Sequence, residues 1–295
     1  MKQFAIYTAV IGNYDTIHQP LVVDDRFDYI LFSDCLNVEQ IGVWQVRKVD
    51  YYNDIQTKIA RYVKTHSHTL LPEYKATLWI DASVLIKSKS VYKRIIDLFN
   101  QGVLISTHLH PIRDCIYDEM FSVLENGYET EDIILKWGKE LRKNKYPPHN
   151  GLCETGVLFR GDADKTRFFN ECWWSYIEKY SRRDQLSFNF VLSQLHIPFV
   201  PFLPENTPIR NSSYIDIHEH SNEMAKYEDI GADSWLIKHY RKHPTEKERI
   251  KNVYYQIYNT HYPKFWAALW GQMFRFLDFV NRHYETGKTI SILQD

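Results

Sequence analysis

The segment FAIYTAVIGNYD, residues 4–15, joins a long apolar run to a polar turn that begins at Gly12. A run that is apolar on both faces is typical of a strand in the middle of a parallel sheet, because helices cover both faces of such a sheet. The segment ATLWI, residues 76–80, has the same character and leads into Asp81-Ala82-Ser83. Both segments therefore predict central strands with polar residues at their carboxyl ends.

Strands and helices alternate along the first part of the chain. Short strands are predicted at residues 29–33 and 43–49, and a helix is predicted at 54–66, where apolar residues recur at helical spacing. Further helices and strands are predicted up to residue 203. This alternation predicts βαβ units and a Rossmann-like α/β fold, with a mainly parallel central sheet flanked by helices.

The composition argues against several classes of protein. A formal net charge of −1 over 295 residues argues against nucleic acid as the partner. The four cysteines are widely spaced and form no Cys-x-x-Cys pair, which indicates reduced thiols in a cytosolic protein. No apolar stretch reaches the length of about 18 residues that a membrane span needs. The N-terminus lacks the features of a signal peptide, so we expect a cytoplasmic protein.

Polar residues follow the predicted strands at the edge where ligands of open α/β sheets bind. Glu154 precedes a further strand predicted at residues 156–160. Because these residues come from distant segments, their convergence predicts one functional site. The residues at the other strand ends are Gly12, Asn13, Tyr14, Asp34, Asp81, Ser83, His108 and His110.

A diphosphate is the ligand that this edge suits. Mg²⁺ or Mn²⁺ binds diphosphates through one or two carboxylates together with phosphate oxygens, and Asp81 supplies a carboxylate at a strand tip. A basic helix face of Lys58, Arg61 and Lys64 offers contacts to phosphate. A strand-end aspartate can also cap a turn, and a basic helix face can simply be solvated, so these alternatives stay open.

Eight motifs, in order, resemble one protein family. This is the glycosyltransferase-like family that includes plant mucilage-related and turgor-regulation-defect proteins and many bacterial relatives, and the resemblance covers residues 4–203. It implies an A-type glycosyltransferase domain over residues 1–245 and a C-terminal helical extension over 246–295. The motifs are YTAVIGNYD, ILFSD, GVWQVR, K-x-x-R (58–61), LWIDAS, HP-x-RDCIY-x-E (110–119), GLCETGVLFR and RRDQLSFNFVL.

The resemblance implies a nucleotide-sugar donor, expected to be a UDP-sugar, and a glycan or lipid-linked acceptor in surface-polysaccharide synthesis. It also implies a Mn²⁺ or Mg²⁺ site at Asp81, Ser83 and His239, although Ser83 stands where such enzymes have a second aspartate. The donor-binding residues that it implies are Thr8, Val10, Asn13, Tyr14, Asp34, Lys58, Arg61, Asp81 and Ser83.

The same resemblance implies that Glu154, Asp184 and Gln185 are catalytic residues on the sugar and acceptor side. Asp184 begins a predicted helix, whose dipole would keep the carboxylate ionised. An inverting enzyme needs a general base, for which Glu154 or Asp184 would serve, whereas a retaining enzyme can use the departing phosphate. The ETGVLFR and RRDQ segments resemble those of retaining enzymes.

Two alternative functions stay open. His108 and His110 would share one face of a strand and could chelate zinc, as in a metal-dependent hydrolase such as an amidase. With Arg113 and Asp114 nearby, the same histidines also suit acceptor binding. Because Asp81 lacks an aspartate partner, the chain could instead be a non-catalytic nucleotide-sugar-binding module.

Residues 263–284 form a strongly apolar and aromatic segment with helical spacing. Three charged residues, Arg275, Asp278 and Arg282, argue against a bilayer span. The helix is expected to pack on the core or on a partner subunit of a homo-oligomer, or to lie peripherally on the inner face of a membrane.

Overall fold

The computed structural model describes residues 2–12, 15–204, 207, 210, 212–218, 235–258, 260 and 263–283. These residues divide into two compact units. The first unit is built within Met1–Glu119 and Tyr146–Tyr227, and the second within Met120–Lys145 and Glu228–Asp295. Residues 120–145 are therefore grouped with the C-terminal segment, while the domain boundary expected at residue 245 stays a prediction.

A seven-stranded sheet forms the centre of the first unit, in the order β3-β4-β2-β1-β5-β8-β7. Five of its strands run in one direction, and β3 and β8 run against them. A separate antiparallel pair is formed by β6 and β9. The strands are β1 Phe4–Val10, β2 Phe27–Ser33, β3 Gln40–Ile41, β4 Trp44–Lys48, β5 Ala76–Ile80, β6 Val84–Ile86, β7 Ile105–Leu109, β8 Cys153–Gly161 and β9 Ile215–Ile217.

Ten α-helices are described. Seven of them begin before residue 200, and α5 together with the last three lies in the second unit. A short 3₁₀ helix, Pro244–Glu246, precedes α9. The helices are α1 Gln56–Thr65, α2 Ser67–Leu70, α3 Lys89–Asn100, α4 Ile116–Glu125, α5 Glu131–Lys143, α6 Ala163–Lys179, α7 Gln185–Gln194, α8 Trp235–Lys242, α9 Lys247–Tyr258 and α10 Pro263–His283.

The fold class expected from the sequence is confirmed. All seven residues of β1 are buried, as predicted for a strand covered on both faces, and β5 is buried throughout. Helix α3 begins where the Ser88 side chain accepts a hydrogen bond from the backbone N–H of Ser90. The mainly parallel sheet, its flanking helices and the C-terminal helical extension are all present.

Candidate active site

The carboxyl ends of β1, β2 and β5 lie at one edge of the sheet. Both neighbours run parallel to β1, with Val10 beside Ser33 and Tyr7 beside Trp79. Just beyond these ends, the backbone N–H of Gly12 donates a 2.9 Å hydrogen bond to Oδ1 of Asp34. The strand ends at residues 12, 34 and 81 therefore share one edge, as the sequence predicted.

The backbone conformation at position 12 favours glycine. Its φ of +60° is in the left-handed region, and a Cβ at this position would lie 2.6 Å from the Gln56 side chain. The predicted donor residues Asn13 and Tyr14, which follow it, lie outside the described residues.

The first residues of β8 complete this edge beside β5. The Asp81 backbone N–H donates a 2.8 Å hydrogen bond to the Gly156 carbonyl, and Glu154 pairs with His108 across β8 and β7. Because β8 runs antiparallel to β5, its start lies at the same edge as the end of β5. The structure thus brings Glu154 and Asp81, which are far apart in sequence, to neighbouring strands.

The Asp81 carboxylate is held through one oxygen. Its Oδ1 accepts a 2.7 Å hydrogen bond from Nε1 of Trp79 and lies 3.7 Å from Nζ of Lys64. Its Oδ2 faces Gly156, where an added Cβ would approach to 3.2 Å. The side chain remains 35% exposed. Asp81 therefore presents Oδ2 at the sheet edge in a defined orientation.

A buried ion-pair cluster lies beside Asp81. Nζ of Lys64 is 2.5 Å from Oδ2 of Asp184 and donates a 2.9 Å hydrogen bond to the Thr155 hydroxyl. That hydroxyl donates a 2.8 Å hydrogen bond to Oδ2 of Asp184. Nε of Arg61 lies 2.9 Å from Oδ1 of Asp184. With Asp81 included, the two cations and two carboxylates balance in formal charge.

The electrostatics of this cluster hold Asp184 ionised. Burial alone would raise the pKa of Asp184, but Arg61 and Lys64 outweigh burial and bring the pKa far below its usual range. Burial lowers the pKa of Lys64, and Asp184 opposes that shift. The Asp184 side chain makes no capping hydrogen bond to α7. Arg61 and Lys64, and not capping of the helix, therefore account for its ionised state.

Glu154 has the opposite electrostatic environment. It is half-buried, and burial raises the pKa of its carboxyl group. Two carboxyl groups at one edge of the sheet thus have pKa values that are shifted apart. In such a pair, the carboxyl group with the lowered pKa stays ionised, and the group with the raised pKa can exchange a proton nearer to neutral pH.

The other predicted donor residues in the described part of the chain have different surroundings. Lys58 is directed to the end of α6, where its Nζ donates a 3.2 Å hydrogen bond to the Glu178 carbonyl. Thr8 and Val10 are buried within β1, and Ser83 is buried in the turn after Asp81. Their assigned roles stay predictions.

An open cavity of about 490 Å³ lies beside Asp34. It is formed after the ends of β2 and β4, and the Tyr52 side chain at its wall is 82% exposed. Its lining includes Asp34, Lys48, Asp50, Tyr52 and Gln56. The lining combines charged and polar side chains with an exposed aromatic ring, a combination that suits a nucleoside.

The His108 side chain is buried, and within the described part of the chain its Nε2 has no hydrogen-bond partner. Burial lowers the pKa of His108 to about 4, so the ring is neutral at neutral pH. In His110, Nδ1 accepts a 3.0 Å hydrogen bond from the Arg113 backbone N–H. Asp114 is exposed and its Oδ1 lies 2.8 Å from Nδ1 of His149.

The described residues contain no group of three or more His, Cys, Asp or Glu side chains placed to hold a metal ion. A zinc hydrolase built on His108 and His110 therefore has no third ligand of these types within that part of the chain. In the second unit, Nε2 of His239 lies 3.2 Å from Oε2 of Glu246, and its ring stacks on Phe274. The metal-binding role of His239 stays a prediction.

Trp79 was not predicted as a site residue, and Lys64 was predicted on a basic helix face that offers contacts to phosphate. The Lys64 side chain is instead 1% exposed and pairs with Asp184. Spacing along α1 carried no signal for this burial, because Lys64 recurs at helical spacing with Lys58 and Arg61 on the basic face. Trp79 did carry a signal, because it lies two residues before Asp81 on the same strand face.

A family model described as TOD1/MUCI70, glycosyltransferase-like domain, matches residues 1–207. The chain belongs to this family. The TOD1/MUCI70 match confirms the resemblance drawn from the motifs and covers every site residue of the first unit discussed above. A comparison with curated proteins found no match.

Among solved structures, the chain is similar to core-mannan synthase A (CmsA/Ktr4) from Aspergillus fumigatus in a Mn/GDP form. Sequence identity is 11%, the match covers 65% of this chain and 70% of the synthase chain, and the TM-score is 0.40. A likeness of this degree says nothing about the substrate or mechanism of this TOD1/MUCI70 member.

Proposed function

We propose that the protein transfers a sugar from a nucleoside-diphosphate donor, expected to be a UDP-sugar, to a glycan or lipid-linked acceptor in surface-polysaccharide synthesis. The observation that carries this proposal is the fixed orientation of Asp81, whose Oδ1 is held by Trp79 and Lys64. A carboxylate fixed in this way is preorganised for one ligand position, as diphosphate transfer requires. Membership of a glycosyltransferase-like family supports the reaction class.

The donor would lie along the sheet edge, with its nucleoside in the cavity beside Asp34 and its diphosphate at Asp81. The exposed ring of Tyr52 would stack on the base, and the Asp34 carboxylate would accept hydrogen bonds from ribose hydroxyls. Thr8 and Val10 would support the nucleotide by fixing the course of β1.

The residues around Asp81 fit a divalent cation that arrives with the diphosphate. Mg²⁺ and Mn²⁺ keep water and phosphate oxygens as most of their ligands, so Oδ2 of Asp81 and the Ser83 hydroxyl would suffice on the protein side. When bound, such a cation would offset the negative charge that develops on the departing diphosphate. The Lys64 ammonium adds positive charge at the same place.

The chemical step would break the bond between the sugar C1 and the diphosphate oxygen, and the electron pair would leave with the diphosphate. A new C1–O bond would form to the acceptor hydroxyl, whose proton Glu154 would take, because its raised pKa suits a base near neutral pH. Asp184 would act as a positioning residue for Lys64 and Arg61. An inverting enzyme uses a base on the acceptor, whereas in a retaining enzyme the departing phosphate can take the proton. A product with inverted configuration at C1 would therefore support Glu154 as the proton acceptor, and a product with retained configuration would support the departing phosphate.

The acceptor would bind on the side of β7 and α7. In the described part of the chain, Nε2 of His108 and Nε2 of Gln185 are buried without hydrogen-bond partners. Buried polar groups normally have partners, so these two atoms are suited to the hydroxyl groups of an acceptor sugar. Arg113 and Asp114 would extend this surface.

A thermal-shift screen of nucleoside diphosphates, with and without Mn²⁺, tests the proposal. Tight binding to the folded protein raises its Tm, and we expect the largest increase with UDP and Mn²⁺ together. The Asp81→Ala variant should lose the Mn²⁺-dependent part of that increase. An equal response of wild type and variant would show that the diphosphate does not bind at Asp81. A non-catalytic binding module would show the same Tm increase but would release no nucleoside diphosphate from any sugar donor.

A further inference from the structure

The helix α10 is apolar on two faces. Its inner face is used within the second unit, where Phe274 is 1% exposed and a Cβ added to Gly271 would lie 3.0 Å from Cβ of Trp235. On the other face, Phe265, Leu269 and Phe276 are 63%, 43% and 61% exposed. The spacing of these residues by four and seven positions aligns them in one stripe along the helix.

This outer stripe differs from ordinary exposed hydrophobic residues. Single exposed apolar side chains are common on protein surfaces, but an aligned set with two phenylalanines marks an interaction surface. Trp266, which is 39% exposed, lies at the side of the stripe. Among the described residues, the inner face of α10 therefore makes the contacts within the second unit, and the outer stripe is exposed.

The charge of the same region identifies the chemistry of that partner. Residues 235–283 contain nine Lys and Arg residues against three Asp and Glu residues, a formal charge of +6, whereas the whole chain carries −1. The rest of the chain therefore carries −7. Positive charge is concentrated in the segment that contains the apolar stripe.

Cationic and aromatic groups also meet where α8 packs against α10. The Arg275 guanidinium lies 4.2 Å from the centre of the Trp235 ring, and Nζ of Lys238 lies 5.7 Å from it. Trp235 is 40% exposed. Tryptophan beside long cationic side chains is suited to the boundary between apolar chains and charged headgroups.

We propose that the outer face of α10 docks on an anionic phospholipid surface. The apolar stripe would enter the boundary between headgroups and acyl chains, and the surrounding cations would contact lipid phosphates. None of the described helices is long and apolar enough to cross a membrane, so the helix would lie in the plane of the surface. A second copy of this chain is a poorer occupant, because two segments of +6 would repel each other at the interface.

The test is co-sedimentation of the full chain with vesicles of phosphatidylcholine mixed with phosphatidylglycerol, and with vesicles of phosphatidylcholine alone. We expect binding to the anionic vesicles, little binding to the neutral ones, and weaker binding as salt is raised. The double variant Phe265→Asp/Phe276→Asp should bind at least about tenfold more weakly, since it loses two aromatic side chains that the lipid surface would bury. Phe168→Asp is the matched control, because Phe168 on α6 is 66% exposed and lies outside the stripe.

Circular dichroism and Tm of each variant verify that it folds before the vesicle measurement. Equal binding of the double variant and the Phe168→Asp control to anionic vesicles would overturn the proposal, as would equal binding of wild type to both kinds of vesicle. A wild-type dimer in size-exclusion chromatography that the double variant converts to a monomer would also overturn it, and would assign the stripe to a second copy.

Discussion

The ammonium of Lys64 lies 2.5 Å from the carboxylate of Asp184, and neither side chain is more than 6% exposed. Removing water from two charges is costly, so such a pair persists only when each charge has close partners. Here Thr155 joins both groups and Arg61 contacts the second oxygen of Asp184. The pair connects α1 to the start of α7 beside Asp81.

Replacement of Lys64 by methionine should destabilise the protein. Asp184 would remain buried with Arg61 as its one strong cationic partner among the described contacts, and loss of one member of a buried pair costs about 3–5 kcal/mol. The free energy of unfolding in urea measures this loss. Lys58→Met on the same helix is the control and should change it by no more than about 0.5 kcal/mol. The double variant Lys64→Met/Asp184→Asn should recover part of the loss, and full additivity would contradict direct coupling.

Gly156→Ala should weaken donor binding with little effect on stability. The added methyl group would lie 3.2 Å from Oδ2 of Asp81, so the carboxylate must shift by a few tenths of an ångström. A misplacement of about 1 Å can cost about a hundredfold in rate, so a shift of a few tenths of an ångström should lower kcat/KM by a smaller factor, about two- to fivefold. Urea unfolding provides the control for folding. A variant with wild-type kcat/KM would show that the orientation of Oδ2 has no role.

The acidic limb of the pH profile should depend on Glu154. Because burial raises the pKa of this carboxyl group, kcat/KM should rise with pH through a value above the usual range of glutamate. Glu154→Gln cannot accept a proton and should lose this limb together with most of the activity. Retention of both the limb and the rate in the variant would assign proton transfer to another group.

Stability should fall in mild acid because of His108. The pKa of this group is lowered from 6.5 to about 4 in the folded protein, so between these values the unfolded chain binds a proton that the fold excludes. The contribution of neutral His108 to the free energy of unfolding is fully present above pH 6.5. It declines as the pH falls towards 4, by up to about 1.4 kcal/mol per pH unit. Urea unfolding between pH 7 and pH 5 measures the slope, which should be smaller in His108→Gln. The same slope in both proteins would contradict this assignment.

The sequence predicted those parts of the fold that depend on local patterning. The buried character of β1 and β5 follows from their continuous apolar runs, and the helix predicted at 54–66 is observed as Gln56–Thr65. The common edge of residues 12, 34 and 81 follows from the parallel order of strands that alternate with helices. The strand predicted at 156–160 was also found, as part of β8, but its antiparallel direction is set by long-range pairing that periodicity does not encode.

The role of Lys64 could not be predicted from spacing. On a helical wheel it shares a basic face with Lys58 and Arg61, but its burial depends on Asp184, which a distant helix start supplies. The orientation of Asp81 is local only in part, because Trp79 lies two residues away, whereas Gly156 comes from a neighbouring strand. Contacts of this kind depend on tertiary packing, which sequence patterns leave undetermined.

The most direct test of the account is the release of nucleoside diphosphate from a panel of nucleotide sugars by wild type and by Asp81→Asn. The substitution preserves the shape of the side chain and removes its charge. We expect slow release by wild type with at least one donor, and a rate lower by about a hundredfold or more in the variant, as for loss of one preorganised electrostatic group. Equal rates in the two proteins would contradict the assignment of Asp81 as the donor-diphosphate group.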